Sequence, residues 1–274
     1  MASYLDARAH NGRWLVRIED VDTARTMPGA AAHILKTLQL FGMQHDGDVW
    51  IQRTRDRAYQ RAIDQLRAHV YECACSRKGL ADSNAPAGID GALIYPGTCR
   101  AGLAAGRLPR AWRLRVPQTD DASDVVTFHD RWLGEFSEAL SNTVGDFILR
   151  RADGFWAYQL AVVVDDAAQG VTHIVRGADL LESTARQIYL QRLLGLATPR
   201  YLHVPILKNA DGEKLSKQTG ALPLDERAIL PTLVTTAKIL NLVVPSCGSI
   251  DEFWHEATIS WRSHHIDSAL PSMR

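Results

Sequence analysis

Apolar residues at three- and four-residue spacing, Tyr59, Ile63, Leu66 and Val70, predict a helix over residues 54–70. Residues 2–10 read as another helix, stopped at Asn11-Gly12, a pair suited to a helix C-terminus. Between these two the pattern changes. The run Arg13-Trp14-Leu15-Val16-Arg17-Ile18-Glu19-Asp20 predicts a short strand that ends in acidic residues. A further helix starts near Pro28, a residue suited to a first helical turn, and closes at Phe41-Gly42. Helix, strand, helix, helix is the order of a βαβ unit without its first strand.

From Cys73 to Cys99 the composition shifts to Ala, Gly, Ser, Asn and Pro, which reads as an inserted loop module. Beyond it, strands are expected at 111–116, 125–132, 147–151, 161–164 and 172–175. An amphipathic helix is expected over 183–194, ended by Gly195. Residues 201–207 read as a strand before a polar turn at Asn209-Ala210-Asp211-Gly212, and the chain from about Asp225 reads as helical. Short strands alternating with helices indicate an α/β fold with an insertion.

The 274 residues suit one or two domains, and 46% hydrophobic with 23% charged residues is ordinary globular composition. No apolar run approaches the ~20 residues of a membrane span, and the N-terminus lacks the pattern of a secretory signal. A soluble, cytoplasmic protein is expected. Thirty-one basic residues balance 31 acidic ones, so nucleic acid would have to be met by a local patch. The basic set is lopsided, with six lysines, at 36, 78, 208, 214, 217 and 238, against 25 arginines. Three of the six fall between positions 208 and 217, a concentration that calls for a reason.

Four groups carry candidate chemistry. Lys214-Leu215-Ser216-Lys217 places two ammonium groups and a hydroxyl on one loop, suited to nucleotide phosphates, although an isolated match is also what a solvated loop looks like. Cys73, Cys75 and Cys99, with Tyr95 four residues before the last, would supply three thiolates and an oxygen to zinc; unliganded thiols are the alternative. Cys247 stands apart and reads as a buried thiol. Glu19, at the carboxyl end of a strand, lies where open α/β sheets bind ligands. Arg176, in Val-Arg-Gly-Ala-Asp-Leu at 175–180, is the residue type for a two-armed grip on a carboxylate, although singly it is more often a surface ion pair, and Tyr158 is more often core packing than a ligand contact. The ten histidines show no metal spacing, and His264-His265 read as surface.

Arg-Ile-Glu-Asp-Val-Asp at 17–22, Cys-x-Cys with Tyr95-x-x-x-Cys99, the segment 175–180 and Lys-Leu-Ser-Lys-Gln at 214–218 occur here in one order. That order resembles the glutamyl-queuosine tRNA(Asp) synthetases, shortened paralogues of the class I glutamyl-tRNA synthetases, from residue 2 to about 222. The resemblance implies a Rossmann-type core over 1–222, interrupted by a zinc-binding insertion at 71–115 and followed by a helical segment at 223–274. It implies tRNA-independent activation of L-glutamate with ATP and Mg, then transfer of glutamate to the queuosine base of tRNA(Asp). Glu19 would hold the glutamate amino group, Tyr158 and Arg176 would grip the substrate, and Lys217, with Lys214 and Ser216, would stabilise the ATP phosphates. Cys73, Cys75, Tyr95 and Cys99 would bind a structural zinc. A monomer is expected.

The family's first strand and its H-I-G-H-type element have no counterpart, because Met1–Leu5 already match the interior of the following helix. The core is therefore expected to be N-terminally incomplete, with an upstream start favoured over an impaired enzyme. Two alternatives remain open. One is a fragment of a standard glutamyl-tRNA synthetase. The other is a non-catalytic, zinc-containing tRNA-binding relic with Arg53, Arg55, Arg57 and Arg61 on a phosphate-contacting helix face.

Overall fold

A computed structural model describes residues 1–82, 85–89, 91–209, 212, 214–215 and 223–266, apart from the side chain of Arg77. Its first element, α1 (Ala2–Ala9), ends where Asn11 takes a left-handed φ of 52°, a conformation asparagine tolerates. Strand β1 is only Arg17–Ile18, shorter than expected, because it pairs in parallel with the equally short β2 (Trp50–Ile51). Helix α2 (Ala30–Leu40) closes at Gly42, whose φ is 73°. A side chain there would meet Ile250 at 2.7 Å and Trp254 at 2.9 Å, so glycine is required by both backbone and packing.

Helix α3 (Asp56–Gln65) stops five residues before Val70, which instead opens β3 (Val70–Cys73). Strand pairing overrides the helical spacing here. Val70 is registered against Leu114 of β4 (Ala111–Leu114), and β4 in turn pairs with β7 (Phe147–Arg150), giving an antiparallel sheet ordered β3-β4-β7. The cysteine segment, with the short helix α4 (Arg77–Ala81), leaves from β3 and returns into β4.

A second sheet runs β6-β5-β9-β8. Strands β5 (Val125–Asp130) and β6 (Gly134–Ala139) form an antiparallel hairpin not anticipated in the sequence, followed by the single turn α5 (Leu140–Thr143). Strand β9 (Arg200–Val204) lies parallel to both β5 and β8 (His173–Gly177). Residues 161–164, expected as a strand, lie inside helix α6 (Tyr158–Ala168). A four-residue apolar run fits a buried helix as well as a strand, and here Leu160, Ala161 and Val163 are packed into the core. Helix α7 (Thr184–Leu193) is not amphipathic, since residues 184–191 are all buried, Arg186, Gln187 and Gln191 included.

One apolar core joins α3, α6, α7 and the strands around them. A second joins α1 to α8 (Ile229–Ile239) and α9 (Ile250–His265), with Phe41 and Leu202 between. Asp6 fastens this second core, accepting hydrogen bonds from both terminal nitrogens of Arg131, at 2.9 and 2.8 Å, and from Trp261 Nε1 at 3.0 Å. His265, expected at the surface, is half-buried and stacked on Trp132 at 4.6 Å, whereas Cys247 is partly exposed rather than buried. Among the described residues, β1 and β8 each have one strand partner, and a cavity of about 750 Å³ lies between them. No helix of the described residues is long and apolar enough to cross a membrane.

Candidate active site

Glu19, Tyr158 and Arg176 all line this cavity, brought together from the end of β1, the start of α6 and the end of β8. The carboxyl ends of strands from two separate sheets, with the start of α6, face this one cavity, which is how residues so distant in sequence converge. Arg17, in β1, is the hub of its acidic side. Its Nη2 donates to Glu19 Oε1 at 3.1 Å and to Asp166 Oδ1 at 2.7 Å, and its Nη1 donates to Gln169 Oε1 at 2.7 Å. Burial pushes the Asp166 carboxyl above the ordinary carboxylate range, and the Arg17 charge offsets only part of that. Glu19 remains exposed at the cavity rim. Burial also pushes the Tyr158 phenol up, with partial relief from Arg176.

Arg176 is held on three sides. Its Nε donates to His203 Nε2 at 3.0 Å, its Nη1 to Gln187 Oε1 at 2.7 Å, and its Nη2 to Thr184 Oγ1 at 2.8 Å and Leu180 O at 3.2 Å. A guanidinium has five N–H groups. One N–H on Nη1 is left, so a carboxylate meets Arg176 through a single hydrogen bond while Gln187 stays in place. A two-armed grip uses two nitrogens, so it also requires Nη2 to give up Thr184 or Leu180 O.

Lys214 reaches the same neighbourhood from the loop after β9. Its Nζ lies 2.5 Å from Asp179 Oδ2, three residues beyond Arg176, and Lys214 forms an isolated bridge with Lys208. A Cβ on Gly177 would collide with the Asp179 carboxylate, so glycine keeps the two motifs in register. Ser216 and Lys217 lie outside the described residues.

The three cysteines form one cluster with their sulfur atoms within 4.8 Å of one another. Cys75 and Cys99 are 3.8 Å apart, and the Tyr95 hydroxyl lies 3.5 Å from both Cys73 and Cys75 while accepting from the Cys99 N–H at 2.9 Å. No disulfide joins them. Arg113 stacks over the Tyr95 ring at 3.9 Å and donates to Cys73 Sγ at 3.4 Å. Burial works against ionisation of Cys73, but hydrogen bonds from Tyr95, the Cys75 N–H and Arg113 hold its thiol below the usual range. Three sulfurs and an oxygen at these separations fit a metal ion of tetrahedral preference.

The arginines considered for an RNA-contacting face are largely committed elsewhere. Arg53 pairs with Asp20 at 2.7 Å, and Arg55 pairs with the buried Asp165 at 2.5 Å while stacking on Trp50 at 4.1 Å. Arg57 and Arg61 remain exposed on α3. Arg17, Asp166, Gln187 and His203 are functional candidates the sequence reading passed over. Their signal was present as charge inside apolar elements: the Asp165-Asp166 pair in α6 and the lone His203 in β9.

Residues 1–230 match the family described as tRNA synthetases class I (E and Q), catalytic domain. A protein of Janthinobacterium sp. (strain Marseille) named glutamyl-Q tRNA(Asp) synthetase is 58% identical over 261 residues, covering 95% of this chain and 89% of that one. A protein of the same name from Verminephrobacter eiseniae (strain EF01-2) is 58% identical over 266 residues, covering 97% and 91%. The crystal structure of a glutamate-tRNA synthetase from Elizabethkingia anophelis superposes with a TM-score of 0.73 at 23% identity. It shares the fold, and this chain, covered over 94%, spans 61% of its length. The chain therefore belongs to the class I synthetase family for glutamate and glutamine, and within it to the glutamyl-Q tRNA(Asp) synthetases.

Proposed function

We propose that the protein activates L-glutamate with ATP in the absence of tRNA and transfers the glutamyl group to the queuosine base of tRNA(Asp) in the cytoplasm. The observation that carries this reading is the 58% identity, over 95% of the chain, to a protein named for that reaction. In activation a glutamate carboxylate oxygen attacks the α-phosphorus of ATP, the bond to the β-phosphate oxygen breaks, and pyrophosphate leaves with magnesium as its counter-ion. Negative charge gathers on the phosphates, so the chain's contribution is charge fixed in advance.

Lys217, with Lys214 and Ser216, stabilises those phosphates. The Asp179 carboxylate pairs with Lys214 before ATP arrives. Glu19 accepts the glutamate ammonium, its own charge steered by Arg17. Tyr158 and the remaining Nη1 N–H of Arg176 hold the substrate from the opposite wall. Cys73, Cys75, Cys99 and Tyr95 would hold a structural zinc, which would supply cross-linking rather than chemistry. Three thiolates outweigh the charge of one zinc ion, and Arg113 compensates the excess.

The test is glutamate-dependent exchange of pyrophosphate into ATP without tRNA. Exchange that also requires ATP and rejects glutamine supports the reading. Folded protein that gives no exchange, or that charges the 3′ end of a tRNA instead, refutes it.

A further inference from the structure

Arg176, His203 and Asp130 stand in a row across three adjacent strands. Arg176 of β8 is registered directly against His203 of β9, and Asp130 closes β5 on the other side. His203 and Asp130 are fully buried, and Arg176 alone of the three lines the cavity.

The donors and acceptors in this row allow one arrangement. An arginine only donates, so His203 Nε2, 3.0 Å from Arg176 Nε, must accept and carries no proton. The proton of a neutral ring is then on Nδ1, which donates to Asp130 Oδ2 at 2.7 Å. Asp130 Oδ1 is occupied separately, by the backbone N–H groups of Trp132 at 3.0 Å, Leu133 at 2.9 Å and His203 at 3.3 Å. These hydrogen bonds overcome the upward push of burial and hold the Asp130 carboxyl below its ordinary range. The directions of the His203–Asp130 and Arg176–His203 hydrogen bonds are therefore set by one buried carboxylate, with Thr184 Oγ1 lying 3.3 Å from the same His203 Nε2.

We propose that Asp130 and His203 form a positioning dyad for Arg176, fixing the His203 tautomer so that the guanidinium is aimed at the substrate carboxylate. This rests on glutamate being the substrate, as argued above. The mechanism makes an unusual ordering of variants. In Asp130→Asn the single oxygen is retained by three backbone N–H groups, so the amide NH2 faces His203. The ring then carries its proton on Nε2, so the Arg176 Nε–H loses its acceptor and the new donor is left only Thr184 Oγ1, 3.3 Å away. His203→Gln, in contrast, offers an amide N–H to Asp130 and an amide oxygen to Arg176, preserving both bonds. His203→Leu preserves neither.

The experiment measures KM for glutamate, KM for ATP and kcat in pyrophosphate exchange for the three variants, beside nitrogen-15 NMR of the His203 ring in the wild-type protein. Losing an aimed hydrogen bond to a charged group raises KM for glutamate by about tenfold in Asp130→Asn and His203→Leu, with kcat and KM for ATP within about threefold. His203→Gln stays within about threefold of wild type in all three. The NMR spectrum shows the proton on Nδ1. Should Asp130→Asn fail to fold, the contrast between His203→Gln and His203→Leu decides. Equal impairment of Gln and Leu variants, or a wild-type ring protonated on Nε2, overturns the dyad. Absence of exchange in the wild type refutes the substrate reading instead, and the ring tautomer still judges the dyad.

Discussion

Cys75 Sγ lies 3.8 Å from Cys99 Sγ. Two sulfurs each about 2.3 Å from one zinc ion in tetrahedral geometry are about 3.8 Å apart. That separation is too long for a disulfide and already the right one for a shared metal. The purified protein is expected to hold one zinc per chain by elemental analysis. Cys99→Ser, or prolonged treatment with a strong chelator, should remove it and cost about 2 kcal/mol or more, a fall in Tm of roughly 4–8 °C. Metal-free wild type with unchanged Tm would contradict the assignment.

The acidic wall of the cavity makes a kinetic prediction. Glu19→Ala is expected to raise KM for glutamate by about tenfold or more, since it removes a charged partner of the ammonium. Lys217→Ala acts instead on charge that develops in the reaction, so kcat is expected to fall about 10²- to 10³-fold. Steady-state exchange kinetics separate the two. Equal effects on KM and kcat in both variants would remove the division of labour between the walls.

Gly177 sets the position of Asp179, and Asp179 that of Lys214. Gly177→Ala must shift the Asp179 carboxylate and disturb its ion pair with Lys214. KM for ATP should rise roughly three- to tenfold, with little change in KM for glutamate, because Lys214 is less well placed in advance of binding. An exchange assay titrating ATP checks this, and an unchanged KM for ATP would show that the loop is ordered without Asp179.

Acid sensitivity follows from Asp6. Burial opposes its ionisation, but the hydrogen bonds from Arg131 and Trp261, with the Arg131 charge, hold its carboxyl below the ordinary range. A carboxyl lowered in the fold contributes stability that is complete above the unfolded value of about 3.9 and is lost as pH falls through the folded one. Asp166, raised by burial, has the opposite sign and favours the fold as it becomes protonated. Urea unfolding between about pH 7 and about pH 2 should therefore show a steeper acid loss in wild type than in Asp6→Asn. Asp6→Ala, leaving Arg131 half-buried without its partner, is expected to cost about 3–5 kcal/mol at neutral pH. Identical acid profiles for wild type and Asp6→Asn would exclude this carboxylate as the source.

The sequence disclosed the α/β class and most elements, because helical spacing and turn residues act locally. It failed where pairing between distant segments decides. Val70 carries the helical spacing of α3 but belongs to β3, drawn there by Leu114. Residues 161–164 have strand composition inside α6, and β6 is too polar to show a periodic signal. Glu19, Tyr158 and Arg176 were legible as a set through the order of the motifs, and the fold lines them along one cavity. Arg17, Asp166 and His203 were not, because their importance lies in what they touch across the sheet and cavity. No spacing in the chain encodes such a contact.

Trp261 Nε1 binds Asp6 across 255 positions, and Trp254 Nε1 binds Phe41 O across 213. These contacts bear on when the protein becomes itself during synthesis. Helix α1 packs Leu5 and Ala9 against residues of α8 and α9, so its burial is complete only once those distant segments are available. Long-range closure of this kind slows folding. Until those segments arrive, the growing chain carries α1 with its apolar face unpacked, a window in which chaperones and proteases compete for it.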